Sequence, residues 1–415
     1  MIDSTAMPSS SAAYKAITSS QVFCMAPWAH LAIGFDGLIR TCCKSAGMIG
    51  DLSTSSPDQI WNSEELRALR RDMLAGRENP QCADCYALQK LGSPTIRQWL
   101  NGLLEGCFSR VAATRDDGHV AVPPSFLYLE LSNTCNFRCR ICGPIRSTAW
   151  HEDSKALYGA ELTRRARAVP QIDILRAIRP WLSNVERIHF SGGEPLQARE
   201  HFQLMDELVA RRMFHVGLIY STNFSFATHE GRDIMRLWDR FENVQVLASL
   251  DGSRERGEYI RKGQDWAQVI DNRQKMLKTC PRVRFQLAPT LSIMNALHLP
   301  DFHWEWIQEG YVSTADFGID ILKNPSMLSI QVLPRRLKRQ VKEKYLAHIE
   351  RVRAVSAEPG WAWPVENHYA AAINFLEAQE LSKRLRDFKK WTVMVDLLRN
   401  ERFETTFPEL AELMV

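Results

Sequence analysis

In this 415-residue chain, the residues whose type and spacing best suit chemistry are its ten cysteines. Eight of them fall into two groups, one between residues 24 and 85 and one between residues 135 and 142. The first group consists of Cys24, Cys42, Cys43, Cys82 and Cys85, and the second of Cys135, Cys139 and Cys142. Thiolates are soft ligands that suit zinc or iron–sulfur clusters. The distribution therefore predicts two metal centres.

Composition supports this interpretation of the cysteines. The chain has 45% apolar and 24% charged residues and a net charge of +4, which is typical of a soluble globular protein and indicates neither nucleic-acid nor membrane binding. Residues 1–20 are rich in Ser and Ala and lack the features of a secretory signal, so we predict a flexible leader on a cytoplasmic protein. Cysteines of cytoplasmic proteins rarely form disulfides, which favours metal ligation or catalysis.

The second group is the more informative. Cys135-x₃-Cys139-x₂-Cys142 lies in LELSNTCNFRCRICGP, directly after an apolar run that predicts a strand. A closed [4Fe–4S] site uses four cysteines. Three cysteines would leave one iron without a protein ligand, where a substrate or cofactor could bind. A zinc site completed by a distant residue is the alternative.

Short apolar runs alternate with helical stretches after residue 125 and would position this motif. The predicted strands are 126–132, 185–191, 215–222, 244–250, 283–291 and 317–322. Segments such as 201–212 and 266–280 have helical periodicity. This alternation predicts an α/β domain over 125–322, a partial barrel with its chemistry at the carboxyl ends of the strands. A helical C-terminal region, 323–415, follows.

The three-cysteine motif on a βα domain resembles the radical S-adenosylmethionine (SAM) superfamily. The resemblance implies a partial (β/α)₆ barrel in which Cys135, Cys139 and Cys142 bind a [4Fe–4S] cluster and SAM binds the open iron. Reduction would then split SAM into methionine and a 5′-deoxyadenosyl radical. Ile141 departs from the family pattern, which often places an aromatic residue before the last motif cysteine.

Further motifs at the predicted strand ends support the resemblance. They imply SAM contacts by Gly192, Gly193, Glu194, Asn223, Ser249 and Arg261. Glycines let the backbone approach a ligand closely, and Glu194 could accept a hydrogen bond from the SAM ammonium. Arg261 could pair with a carboxylate through its guanidinium fork.

The first cysteine group resembles the auxiliary-cluster domains called SPASM or twitch. The resemblance implies a domain over 21–110 in which Cys24, Cys42, Cys82 and Cys85 bind one auxiliary [4Fe–4S] cluster, with zinc as the alternative. Cys43 could replace Cys42 as the ligand or could be a free thiol near the site. The family usually carries this domain after the barrel, whereas here it comes first. A helix is predicted from Ser56 to Gly76 and a linker over 111–124.

These expectations define a radical SAM enzyme. Its implied substrate is a peptide or protein side chain, with a small metabolite (sugar, nucleoside or amino acid) as the alternative and a structural zinc protein as the non-enzymatic one. A flavodoxin, a ferredoxin or another reductase would donate the electron. The catalytic residue is not specified by the sequence, and Cys43 and Cys280 are the candidates. Cys280 and Cys107 are expected to be buried apolar residues, with donation of a hydrogen atom to a substrate radical as the alternative for either.

Overall fold

The computed structural model describes residues 19–168, 172–355 and 364–415. Most of the predicted leader, residues 1–18, therefore lies outside the described residues. The strands are β1 His30–Ile33, β2 Leu38–Arg40, β3 Gly50–Asp51, β4 Phe126–Glu130, β5 Arg187–Ser191, β6 Gly217–Thr222, β7 Thr228–His229, β8 Arg232–Asp233, β9 Val244–Ala248, β10 Arg284–Leu287, β11 Thr290–Leu291 and β12 Asp320–Ile321.

Helices connect most of these strands and form the C-terminal region. The α-helices are α1 Ala26–Ala29, α2 Pro57–Trp61, α3 Glu64–Leu74, α4 Ala83–Lys90, α5 Ile96–Leu103, α6 Ser109–Ala112, α7 Trp150–Tyr158, α8 Ala160–Arg167, α9 Ile174–Ile178, α10 Arg199–Ala210, α11 Ile234–Trp238, α12 Arg254–Ile260, α13 Trp266–Thr279, α14 Leu299–Gln308, α15 Arg335–Arg353, α16 Val365–Ala378, α17 Leu385–Arg399 and α18 Phe403–Thr406. Short 3₁₀ turns span Pro80–Cys82, Glu105–Cys107, Arg179–Asn184, Pro195–Gln197, Ser326–Leu328, Ile330–Val332, Ser382–Arg384 and Pro408–Met414.

The described residues divide into two compact units. The first is drawn from Met1–Leu131, Pro170–Gly192 and Glu200–Leu218, and the second from Ser132–Val169, Gly193–Arg199 and Ile219–Val415. The predicted domain boundaries at 21–110, 125–322 and 323–415 do not coincide with these units and stay predictions.

The sheet of the first unit joins barrel strands to strands near the first cysteines. Its order is β5-β4-β1-β2-β3, with β4 parallel to both β1 and β5. The sequence patterns did not indicate β1. His30 on β1 is buried, packs edge-on against Phe126 and forms a hydrogen bond to the carbonyl of Thr41 at 2.9 Å. Burial lowers the pKa of His30 to about 4, which keeps the imidazole neutral in this core.

The helix predicted from Ser56 to Gly76 is two helices, because two serines cap it at separate places. The Ser56 hydroxyl accepts from the amide of Gln59 and begins α2, and the Ser63 hydroxyl accepts from the amide of Leu66 and begins α3. A serine that caps the second helix competes with continuation of the first. The predicted linker also packs, since Val120 is buried.

In the second unit, β9 and β10 are parallel and β6 lies next to β9. The predicted strand 283–291 breaks into β10 and β11 at Pro289, which has no amide hydrogen for a ladder. Residues 317–322 yield the short β12, which pairs in parallel with β11. The helical C-terminal region contains α15 to α18.

Parallel strands alternate with helices, which confirms the predicted α/β class with a partial barrel and a helical C-terminus. No helix in the described ranges is both long enough and apolar enough to cross a bilayer.

Candidate active site

The loop that carries Cys135, Cys139 and Cys142 runs beside the segment that follows α12. The amide of Arg138 donates to the carbonyl of Lys262 at 2.8 Å, and the amide of Arg140 donates to the carbonyl of Ile260 at 2.7 Å. Gly263 has a φ of +111°, and a Cβ there would lie 2.9 Å from the carbonyl oxygen of Asn136. This close approach requires glycine.

Side chains from the following segment bind the other backbone groups of the cysteine loop. The hydroxyl of Ser147 donates to the carbonyl of Phe137 at 2.6 Å, and the indole of Trp150 donates to the carbonyl of Cys139 at 2.8 Å. The amide of Cys135 donates to the hydroxyl of Thr148 at 3.3 Å. These hydrogen bonds to protein partners constrain the backbone of the cysteine loop.

The three thiols of this loop interact electrostatically with one another. Burial raises the pKa of Cys135 to about 12, and the Cys139 charge adds to this shift. A hydrogen bond from Cys139 lowers the pKa of Cys142, and the same bond, with burial, raises that of Cys139. Buried thiolates need a cation, and a metal ion that binds them deprotonates them. The donor set therefore suits an iron–sulfur cluster.

Two arginines in the cysteine motif pair with carboxylates from other parts of the second unit. Arg140 is fully buried and pairs with Asp396 at 2.5 Å and Glu401 at 2.7 Å. Arg138 pairs with Asp153 at 2.7 Å, and Arg399 reaches the same carboxylate at 2.8 Å. The C-terminal helix α17 thus positions the loop. The sequence analysis missed the partners Asp153, Asp396, Arg399 and Glu401, because no local pattern links them to the cysteines.

Glu194 is the most strongly held of the predicted SAM-binding residues. It is 1% exposed, and its carboxylate accepts from the hydroxyl of Thr222 at 2.7 Å, the amide of Asn223 at 2.8 Å and the amide of Leu196 at 3.1 Å. Burial raises the pKa of Glu194 to about 7, and these three donors oppose the rise. Its partner Thr222 was not among the predicted site residues.

The two predicted glycines, Gly192 and Gly193, require the absence of a side chain for different reasons. A Cβ on Gly193 would lie 2.2 Å from the carbonyl oxygen of Thr134, next to Cys135 in the sequence. The amide of Glu194 donates to this same carbonyl at 2.8 Å. Gly192 adopts a φ of +117°. The glycine motif therefore lets the loop of Glu194 pack directly on the cysteine loop.

Asn223 and Ser249 lie on neighbouring backbone segments. The side-chain amide of Asn223 donates to the side-chain oxygen of Asn136 at 2.8 Å, and its own oxygen accepts from the hydroxyl of Ser225 at 2.6 Å. The amide of Ser249 donates to the carbonyl of Thr222 at 2.8 Å, and its side chain is half-buried. Asn223 thus links a strand end to the cysteine loop.

Arg261 already has a carboxylate partner within the protein. Its Nε lies 2.8 Å and its Nη2 lies 2.9 Å from the two carboxylate oxygens of Asp251, and both side chains are buried. The hydrogen bond between the two thiols is the main influence on the pKa of Cys139 and of Cys142, and the positive charge of Arg261 opposes the rise at Cys139 and adds to the lowering at Cys142. We find Arg261 placed to balance charge near the thiols; its predicted contact with SAM stays a prediction.

In the first unit, four cysteines of the first group line one pocket: Cys24, Cys42, Cys82 and Cys85. Burial raises the pKa of Cys24 to about 12, and the charges of Cys82 and Cys85 add to the rise. Burial likewise raises the pKa of Cys82 to about 11. Four thiols around one pocket suit a closed cluster.

The two candidate catalytic cysteines lie in different settings. Cys43 is half-buried and follows Cys42 in the sequence. Burial raises the pKa of Cys42, and the charge of Cys43 raises it further. Cys43 is not among the residues that line the four-cysteine pocket. Cys280 is buried at the end of α13, and burial raises its pKa to about 12. The charged groups that also act on this pKa are Asp239, Arg273 and Asp233. None of these is a predicted site residue. A catalytic role for either cysteine stays a prediction.

In the portion of the chain that the structure describes, no three His, Cys, Asp or Glu side chains converge on a position for one metal ion. A [4Fe–4S] cluster binds each thiolate at a different iron, so its ligands need not converge on one atom. Both cysteine sets therefore fit a cluster by their donor chemistry.

Comparison with curated proteins finds a partial match to GTP 3′,8-cyclase 2 of Mycobacterium bovis and Mycobacterium tuberculosis. The identity is 32% over 128 residues, which covers 30% of this chain and 30% of the length of these relatives.

Among solved structures, native anSMEcpe with bound AdoMet is similar over 55% of this chain and 59% of its own, with a TM-score of 0.35 and 15% identity. SuiB from Streptococcus suis is similar over 69% of this chain and 62% of its own, with a TM-score of 0.37 and 13% identity.

Two family models match the chain in the regions that carry the two cysteine groups. The iron–sulfur cluster-binding SPASM domain matches residues 24–86, and the radical SAM superfamily matches residues 129–291. The first match contains Cys24, Cys42, Cys82 and Cys85, and the second contains the three-cysteine loop. The chain therefore carries an iron–sulfur cluster-binding SPASM domain over residues 24–86, followed by a domain of the radical SAM superfamily over residues 129–291.

Proposed function

We propose that this enzyme abstracts a hydrogen atom from a peptide or protein side chain. When bound, the cluster and SAM supply reductive cleavage of the sulfonium bond and a 5′-deoxyadenosyl radical. The SPASM domain is the observation that favours a peptide, because the resemblance stated above implies this substrate class. A flavodoxin, a ferredoxin or another reductase would supply the electron.

The residues of the second unit have separate roles in this proposal. Cys135, Cys139 and Cys142 hold the cluster, and the arginine–carboxylate pairs fix the shape of their loop. Glu194 presents a carboxylate to the SAM ammonium while Thr222 fixes its orientation. Gly193, Asn223, Ser249 and Arg261 complete the proposed SAM site in this unit. Gly192 belongs to the first unit, and its contact with SAM stays a prediction. In the first unit, Cys24, Cys42, Cys82 and Cys85 hold one auxiliary cluster.

A small-molecule reaction is the second candidate, and the partial match to GTP 3′,8-cyclase 2 favours it. This match covers 30% of the chain. A nucleotide would be the first small molecule to test.

The chemistry is tested by anaerobic reconstitution followed by addition of dithionite and SAM. We expect about eight irons per chain, for two [4Fe–4S] centres, and release of 5′-deoxyadenosine. Cys139→Ala should abolish that product, and Cys82→Ala should leave part of it. Cys107→Ala is the matched control, because Cys107 is also buried but contacts the Ser125 hydroxyl instead of either cysteine group. A colourless protein that contains zinc and does not cleave SAM would overturn the proposal.

The substrate is tested by adding either a peptide encoded by a neighbouring short reading frame or GTP. The peptide should increase 5′-deoxyadenosine release and change in mass. Stimulation by GTP alone, with a nucleotide product, would replace the peptide proposal with the small-molecule one.

A further inference from the structure

Arg97 is a buried cation at the pocket of the four auxiliary cysteines. It lies on α5 and is 5% exposed, and it lines the same pocket as Cys24, Cys42, Cys82 and Cys85. Its Nη1 donates to the carbonyl of Phe23, the residue before Cys24, at 2.8 Å. Its position is therefore fixed relative to the backbone that carries one of the proposed ligands.

The second contact of Arg97 reaches the helix that carries Cys85. Its Nε donates to the side-chain oxygen of Gln89 at 3.0 Å, and its Nη2 contacts the same atom. Gln89 follows Cys85 by one turn on α4. The remaining contact is with the carbonyl of Ser20 at 3.2 Å. Arg97 thus joins the Cys24 segment to the Cys85 helix.

All of these partners are neutral oxygens. Within the described residues, no carboxylate forms an ion pair with Arg97. Its guanidinium instead lines the pocket that the four thiols share. A buried positive charge without a carboxylate is costly unless another anion compensates it.

A [4Fe–4S] cluster with four thiolate ligands provides such an anion. The reduced cluster carries one more negative charge than the oxidised one, so a fixed cation nearby stabilises the reduced form more. We propose that Arg97 is the countercharge of the auxiliary cluster and raises its reduction potential. This inference rests on the proposed assignment of Cys24, Cys42, Cys82 and Cys85 as ligands.

The experiment uses the full chain with Cys135, Cys139 and Cys142 changed to Ala, so that the auxiliary cluster alone gives the signal. Its midpoint potential is measured by redox titration monitored by electron paramagnetic resonance. Arg97→Gln should shift the potential to a more negative value, and Arg97→Lys, which keeps the charge, should restore part of the shift.

A second variant keeps Arg97 in place and neutralises its charge. Gln89→Glu is nearly isosteric and converts the existing contact into an ion pair. It should also shift the potential to a more negative value, which tests the inference even where Arg97→Gln does not fold. Arg110→Gln is the control, because Arg110 donates to the carbonyls of Trp28 and Pro123 in the same unit and does not line the cysteine pocket.

An unchanged potential in both Gln89→Glu and folded Arg97→Gln would overturn the inference. A parent protein that holds no auxiliary cluster would instead overturn the ligand assignment of the proposed function. The two failures are distinguishable, because the iron content of the parent and the loss of the signal on Cys82→Ala report on the second alone.

Discussion

The two cysteine regions differ in the partners of the arginines that lie beside them. In the second unit, Arg138, Arg140 and Arg261 each pair with a carboxylate: Asp153, Asp396 with Glu401, and Asp251. In the first unit, the described contacts of Arg97 are to neutral oxygens. The loop that holds three thiols is therefore surrounded by balanced ion pairs, and the pocket with four thiols faces a cation.

This difference in the partners of the arginines fits the two roles proposed for the cysteine regions. Buried ion pairs with good geometry specify one arrangement of a loop and add little net charge, which suits the proposed SAM-binding cluster site, where one iron would stay accessible. A closed cluster has no such opening to preserve, and a single nearby charge changes its reduction potential. The comparison predicts that variants of the three-cysteine loop fail through geometry and that variants around the auxiliary pocket change a potential.

The largest effect expected from a single methyl group is at Gly193. Gly193→Ala would place a Cβ 2.2 Å from the carbonyl oxygen of Thr134, so the cysteine loop or the Glu194 loop must move. A displacement of about 1 Å can cost on the order of 100-fold in rate, and we expect a loss of this size in 5′-deoxyadenosine formation. Gly143→Ala is the control, because a Cβ there has no neighbour within 4 Å. Equal activity of the two variants would contradict the geometric interpretation.

The next effect concerns the buried pair between Arg140 and Asp396. Asp396→Asn should lower the free energy of unfolding by about 3 kcal/mol, because it leaves Arg140 with Glu401 as its remaining carboxylate partner. Urea denaturation of the cofactor-free protein measures the change. Glu412→Gln, which breaks an exposed pair with Arg336, should cost less than about 1 kcal/mol. An equal loss in both variants would show that the buried pair has no special role in the loop.

The smallest of these effects is at Glu194, and it depends on pH. The raised pKa of about 7 means that the carboxyl gains its charge as the pH rises through this value, so SAM affinity should increase between about pH 6 and 8. Glu194→Gln should weaken SAM binding by about tenfold and remove this dependence. Titration of the cluster signal with SAM at several pH values measures both. A pH dependence that survives in Glu194→Gln would assign it to another group.

The same pKa shift affects stability in the opposite direction. Because the folded state favours the protonated Glu194, its contribution to the stability of the cofactor-free protein is present at low pH and is lost as the pH rises from about 4.5 towards 7. This loss would be offset where SAM supplies an ammonium partner.

The predictable part of the fold came from repeated local patterns. The strands β4, β5, β6 and β9 lie within the apolar runs that predicted them, because burial on both faces leaves a continuous apolar signal. Pro289 divides a predicted strand, and Ser56 and Ser63 cap two helices where one helix was predicted. All three residues can be read in the sequence, but the predicted elements extended across Pro289 and Ser63. The strand β1 could not be predicted, since its burial depends on parallel pairing with β4 about one hundred residues later.

The sequence by itself determined the chemistry of the two centres, because thiolate ligands must be cysteines and their spacing within a short loop is a local property. Only the tertiary structure decided which charges surround them. Asp153, Asp251, Asp396 and Arg97 have no spacing that marks them, and their roles exist because folding buries them beside these loops. The interaction energy of a charge increases in the low dielectric of the protein interior, where it can orient a loop or shift a reduction potential. Burial is a property of the folded chain and not of a local sequence.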